Sequence, residues 1–151
     1  MKVAVLMGSH SDDAVMKACT DGLAHFGIPF ETAVMSAHRD PDRVTAFAKN
    51  AEASGYDLII AGAGMAAHLP GVVASHTTLP VIGVPLEGSA LNGMDALYAI
   101  VQMPAGIPVA CVAVGKAGAK NAAVLAAEIL ALKHPDLRTK LSEFRKAGAK
   151  L

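Results

Sequence analysis

Three short stretches of this chain bring together residue types able to grip an anion or carry a proton. They are Gly8-Ser9-His10-Ser11-Asp12, Ser36-Ala37-His38-Arg39-Asp40-Pro41 and Gly62-Ala63-Gly64-Met65-Ala66-Ala67-His68-Leu69-Pro70-Gly71. In the second, Arg39 supplies a fork of N–H donors that fits phosphate or carboxylate oxygens. His38 beside it is an imidazole, the side chain suited to exchanging a proton near neutral pH, and Ser36 adds a hydroxyl donor. That spacing alone names no reaction, and a lone loop histidine is more often a surface residue.

The first stretch has two readings. Ser9, Ser11 and the N-terminus of a following helix make an anion site, because unpaired N–H groups and the helix dipole both favour negative charge there. Ser9 and Asp12 also have the spacing of a capping box, which needs no ligand. In the third stretch, small side chains leave backbone N–H groups open to a carboxylate or a flat ring, and Ala63 and Gly64 are the candidates. His68 either lines that pocket or braces the loop, and a plain tight turn is the remaining alternative. His10 lies in the first loop with no role implied, while His25, His76 and His134 read as surface residues. Cys19 and Cys111 belong to no metal-spaced or redox pair and read as small core residues. No ligand spacing for zinc or iron, phosphate-binding Walker loop or serine nucleophile elbow is present.

These stretches need strands and helices to hold them. Lys2–Met7 reads as a first strand, and Ser11-Asp12-Asp13 opens a helix with Val15, Ala18, Cys19, Gly22 and Phe26 on its apolar face. Phe30–Met35 is a second, more alternating strand suited to a sheet edge. Asp40-Pro41 has the form of a helix start, Asp as cap and Pro in the first turn, with Val44, Phe47, Ala48 and Ala51 on one face. Further strands are expected at 57–61, 80–84 and 109–114, with helices at about 66–75, 92–102 and 119–132. Alternating strands and helices with short connections predict a doubly wound α/β domain of five strands, the loops after the strands sharing one edge. A last helix, from about Pro135 to Lys150, carries Leu137, Leu141 and Phe144 on one face. It has two open placements, on its own domain or on a neighbouring subunit.

The bulk properties narrow the function classes. The 151 residues suit one domain, 1–151, with no repeat. Thirteen basic and thirteen acidic residues balance, so nothing draws the chain broadly to nucleic acid or an anionic membrane. Four Phe, two Tyr and no Trp leave no platform for stacking bases. Two long stretches, 58–86 and 96–115, lack Asp, Glu, Lys and Arg, but prolines and glycines break both, so they read as strands buried on two faces and not as membrane spans. Part of that apolar surface is available for burial between subunits. The N-terminal apolar run is too short for a signal peptide, which points to the cytoplasm.

Taken together, the three stretches resemble the signature loops of the N5-carboxyaminoimidazole ribonucleotide mutase family. Gly83-Val84-Pro85, Ser89-Ala90-Leu91, Ile100-Val101-Gln102-Met103-Pro104 and Gly115-Lys116-Ala117-Gly118 extend the resemblance in order and spacing over nearly the whole chain. It implies a flavodoxin-like three-layer αβα sandwich with a five-stranded parallel sheet, a homo-octamer, no cofactor and no metal. It implies conversion of N5-carboxyaminoimidazole ribonucleotide to 4-carboxy-5-aminoimidazole ribonucleotide, a step of purine (IMP) biosynthesis. By position, His38 would be the general acid/base. Ser9, Asp12 and Arg39 would bind the ribotide, with Ser11 and Ser36 around its phosphate and ribose. The backbone of Ala63 and Gly64 would face the carboxylate or carbon dioxide, with His68 in the same loop.

Three positions depart from the family pattern. Asp13 stands where an aromatic residue is common, Met65 where another glycine is frequent, and Leu86-Glu87-Gly88 replaces a small polar run. None removes a residue with a proposed role. The related carboxylase, which takes aminoimidazole ribotide and carbon dioxide directly, resembles the chain less: it typically has Lys at the position of Arg39 and lacks the Ala-Ala-His-Leu-Pro run. A ribotide-binding module without catalysis is the alternative from another class.

Overall fold

The computed structural model describes residues Met1–Leu151. Five strands, β1 (Val3–Met7), β2 (Phe30–Val34), β3 (Leu58–Gly64), β4 (Val81–Leu86) and β5 (Ala110–Cys111), form one sheet in the order β2-β1-β3-β4-β5. Every pairing is parallel. This is the flavodoxin-like order of a doubly wound sheet. Six helices connect and cover it: α1 (Asp13–His25), α2 (Pro41–Asn50), α3 (Leu69–Ala74), α4 (Met94–Val101), α5 (Gly115–Leu130) and α6 (Pro135–Lys146).

The central strands are apolar along their length because both faces are covered, as parallel sheets require. Val3, Val5, Met7, Leu58, Ile60, Ile82 and Val84 point toward α1, α5 and α6, while Ala4, Leu6, Ile59, Ala61 and Val81 point toward α2, α3 and α4. Each fully buried Leu or Ile contributes roughly 1.5–3 kcal/mol. β2, on the open edge, exposes Glu31 and Thr32. Glu31 is held there by Lys2 Nζ at 2.8 Å and accepts a hydrogen bond from Tyr56 Oη, and a charged side chain on an edge discourages pairing with another sheet.

Several boundaries differ from the sequence reading. β3 runs on to Gly64, three residues past the expected end. A Cβ on Gly62 would lie 2.6 Å from Met16 Sδ of α1, so glycine is there for helix–strand contact and not to turn the chain. α5 starts at Gly115 because Gly118 lets its first turn lie directly on the carbonyl of Ala113. That departure shortens β5 to two residues. Asp40 occupies the cap position of α2, but its side chain makes no capping bond, and Pro41 alone marks the start.

α6 lies on its own domain. Leu137 and Phe144 are buried in the core beneath α1 and α5, with the Phe144 ring 5.3 Å from that of Phe26. Lys140 Nζ donates to the Phe26 carbonyl at 2.7 Å, and Arg145 pairs with Glu128 of α5 at 3.0 Å. No helix is long and apolar enough to cross a membrane.

Candidate active site

The strand order decides where a ligand fits. β1 connects outward to β2, whereas β3 connects the other way to β4, so the loops following β1 and β3 diverge and leave a crevice at the carboxyl ends of the strands. A cavity of about 380 Å³ occupies this crevice. Its lining contains all nine residues singled out from the sequence: Ser9, Ser11, Asp12, Ser36, His38, Arg39, Ala63, Gly64 and His68.

The loop after β1 closes on itself. Ser9 caps a short 3-10 turn at His10–Asp12 that leads into α1, and the capping box expected from the spacing is formed. The Ser9 N–H donates to Asp12 Oδ2 at 3.0 Å, and the Ser11 N–H donates to Ser9 Oγ at 3.3 Å. Capping and cavity lining are therefore compatible. Partial burial pushes the Asp12 carboxyl above its usual range, against the pull of the Ser9 N–H and the Ser11 hydroxyl. The Gly8 N–H donates to the Gly62 carbonyl at 3.3 Å, which ties this loop to the end of β3.

The loop after β2 is braced by the Arg39 N–H, which donates to Ser36 Oγ at 3.2 Å. That turn leaves the His38 and Arg39 side chains exposed on the cavity wall. Across the crevice, His68 is the residue preceding α3. His38 Nε2 and His68 Nδ1 lie 2.7 Å apart, with the rings edge to face at 4.8 Å. One of these nitrogens must donate and the other accept, so this bond carries one proton, on one ring or the other. A doubly protonated pair would set N–H against N–H and lose the bond.

Between these loops, Ala63 and Gly64 bring bare backbone to the cavity floor. A Cβ on Gly64 would meet the Leu86 carbonyl at 3.3 Å, so the β3 and β4 main chains pass closely there. Met65 follows at φ 55°, in the left-handed region, with 63% of its surface exposed at the cavity mouth. Non-glycine residues adopt this conformation at a cost, and such positions cluster at functional sites.

Glu87 and Gly88 also line the cavity. Sequence reasoning noticed them only as a departure from a pattern. The signal that finds them is topological, since the segment after β4 reaches the same edge as the loops after β1 and β3. His10, His25, His76 and His134 lie outside this cavity. So do both cysteines: Cys19 is buried and its thiol pushed up to about 12 by burial, and burial also raises that of Cys111. Neither is poised as a nucleophile. No group of three or more His, Cys, Asp or Glu side chains is placed to hold a metal ion.

The chain is similar to known proteins along nearly its whole length. The curated N5-carboxyaminoimidazole ribonucleotide mutase of Thermotoga maritima is 56% identical over 144 residues, 95% of this chain and 83% of that protein. The proteins of the same name from Brucella melitensis and Escherichia coli are 57% and 53% identical, covering 96% and 97% of this chain and 90% and 86% of theirs. The crystal structure of Treponema denticola PurE superposes with a TM-score of 0.88 at 31% identity, covering 98% of this chain and 91% of that one. Residues 2–150 match the family described as AIR carboxylase, and the chain belongs to that family.

Proposed function

We propose that this chain, working as one catalytic domain over residues 1–151, is an isomerase that converts N5-carboxyaminoimidazole ribonucleotide to 4-carboxy-5-aminoimidazole ribonucleotide in purine biosynthesis. The observation that carries this reading is the one cavity that gathers Arg39, the first-loop hydroxyls, Asp12, the paired imidazoles of His38 and His68 and the bare backbone at the end of β3. The mutase names of its relatives at 53–57% identity support it independently.

The chemistry asks for little machinery. Arg39, Ser9, Ser11 and Ser36 grip the phosphate and ribose, with Asp12 accepting from the sugar. His38 gives a proton to the carbamate nitrogen as its N–C bond breaks and carbon dioxide leaves. The electron-rich ring carbon of the aminoimidazole then attacks the same carbon dioxide, held against the backbone of Ala63 and Gly64. That carbon now carries both hydrogen and carboxylate, and His38 takes the proton to restore aromaticity. The two proton transfers run in opposite directions, so one imidazole ends the cycle as it began. His68, hydrogen-bonded to His38, positions the ring and shares its proton. Holding carbon dioxide beside its acceptor replaces a bimolecular encounter with an intramolecular one. No step calls on a metal or cofactor.

The family's description as a carboxylase keeps a second reading in view, direct carboxylation of aminoimidazole ribotide. Purified protein is given the N5-carboxy ribotide, and in parallel aminoimidazole ribotide with modest bicarbonate. Product from the first substrate alone is the expected result. Product mainly from the second means the carboxylase, and binding without product means a ribotide-binding module. We also propose a cytoplasmic homo-octamer. Its support is an apolar strip in and before α4, where Leu91, Met94, Tyr98 and Val101 are 62%, 45%, 61% and 48% exposed at helical spacing. Light scattering should give eight chains, and a stable monomer would contradict it.

A further inference from the structure

On the other side of the sheet edge, α1 and α5 flank a groove of about 430 Å³ that shares no residue with the active-site cavity. Its lining includes Lys17, Lys116, Lys120 and Lys150, against one carboxylate side chain, Asp21. Lys116 and Lys120 stand one turn apart on α5, as Lys17 and Asp21 do on α1, so two ladders of side chains face each other across the groove. Lys17 is answered by Asp21 at 2.6 Å. Lys116 and Lys150 take part in no ion pair.

Lys120 shows what the groove accepts. Its Nζ donates to the main-chain oxygen of Leu151, brought back by a turn in which Gly148 and Ala149 both have positive φ, at 94° and 55°. Leu151 seats against Gly22 of α1, its Cδ1 3.1 Å from where a Cβ would stand. A main-chain oxygen thus sits on one lysine of the groove, and Lys116 and Lys150 are left for a ligand. We propose that this groove is an anion site for an oligophosphate, free or carried by a nucleoside. The two α5 lysines are about 6 Å apart along the helix axis, so an anion with charge at several points engages more of the cluster than a single phosphate can. The chain as a whole carries no net charge, so no wider basic field is available to hold a nucleic acid.

The test is calorimetric titration of the full chain with inorganic tripolyphosphate and, separately, with adenosine triphosphate. Three proteins are compared: the unaltered chain, Lys116→Gln/Lys150→Gln, and Arg39→Ala. Saturable binding should weaken on the order of tenfold or more in the double lysine variant, persist in Arg39→Ala, and weaken with added salt. Equal affinity for the two probes assigns the site to the phosphate chain alone, and tighter adenosine triphosphate binding adds a contact to the nucleoside. Circular dichroism checks that the variants are folded, and turnover of the double lysine variant should be unchanged. Absence of saturable binding by the unaltered chain overturns the proposal. Binding lost in Arg39→Ala but kept in the lysine variant overturns it too, by placing the anion in the active-site cavity.

Discussion

Replacing His38 with Asn separates proton transfer from binding. Asn has no group that takes and returns a proton near neutral pH, and its shorter side chain gives up the contact that His38 Nε2 makes with His68 Nδ1 at 2.7 Å. The loop should keep its shape, because its brace runs from the Arg39 N–H to Ser36 Oγ at 3.2 Å and does not pass through the imidazole. General acid–base catalysis by a positioned side chain contributes roughly 10²–10⁴-fold. Here the same ring serves both proton transfers, so neither half-step escapes, and turnover should fall on the order of 10³-fold, about 4 kcal/mol of barrier. Ribotide affinity should stay within about threefold, since Arg39 and the first loop are untouched. Turnover is measured at saturating N5-carboxy ribotide, and product-ribotide binding by calorimetry. Turnover within tenfold of the unaltered enzyme would remove His38 as the proton carrier. Affinity falling by the same factor as turnover would make it a binding residue. His68→Asn is the control: it should lose less, and an equal loss with binding intact would move the proton carrier to His68.

Met65→Gly should stabilise the chain, because glycine relieves the φ of 55° and the exposed side chain gives up little packing. About 0.5–1 kcal/mol is expected, a rise of roughly 2 °C in Tm, and a lower Tm in scanning calorimetry would show that Met65 is held by contacts worth more than its strain. For Asp12 the sign follows from its raised carboxyl: the ionised form opposes folding above the usual carboxylate range, and the cost is relieved as pH falls through the folded-state value. Asp12→Asn keeps an acceptor for the Ser9 N–H, so melting at neutral pH should hold or rise while ribotide affinity falls, and a Tm drop that is the same at acid and neutral pH would contradict this. Phe144→Ala removes a ring that is 7% exposed and packed on Phe26. It should cost about 3–5 kcal/mol, on the order of 10 °C in Tm, by an amount independent of protein concentration, whereas a concentration-dependent loss would seat α6 on a neighbouring subunit.

What could be read in advance, and what could not, follows from the kind of signal each part leaves. Apolar runs such as Val3–Met7 and Val81–Leu86 announce strands because a parallel sheet buries both faces, and the strand–helix alternation then leaves few topologies. The misplaced boundaries share one cause, which is glycine. Gly62 and Gly64 within β3, and Gly115 and Gly118 at the start of α5, look like loop residues along the sequence. In the fold, two of them mark places where another backbone or side chain comes too close for a Cβ, Met16 on Gly62 and the Ala113 carbonyl on Gly118, and the Leu86 carbonyl crowds a third, Gly64. A close approach of that sort is a property of two elements at once, so neither segment carries it alone. The site divides the same way. The residue types in each loop were legible, because Arg, His, Ser and bare backbone each limit what chemistry is possible. The bond between His38 and His68, 30 positions apart, was not, nor was the place of Glu87 in the cavity lining. Both depend on β1 and β3 lying side by side while their connections run in opposite directions, and it is that crevice which turns three weak loop signals into one site.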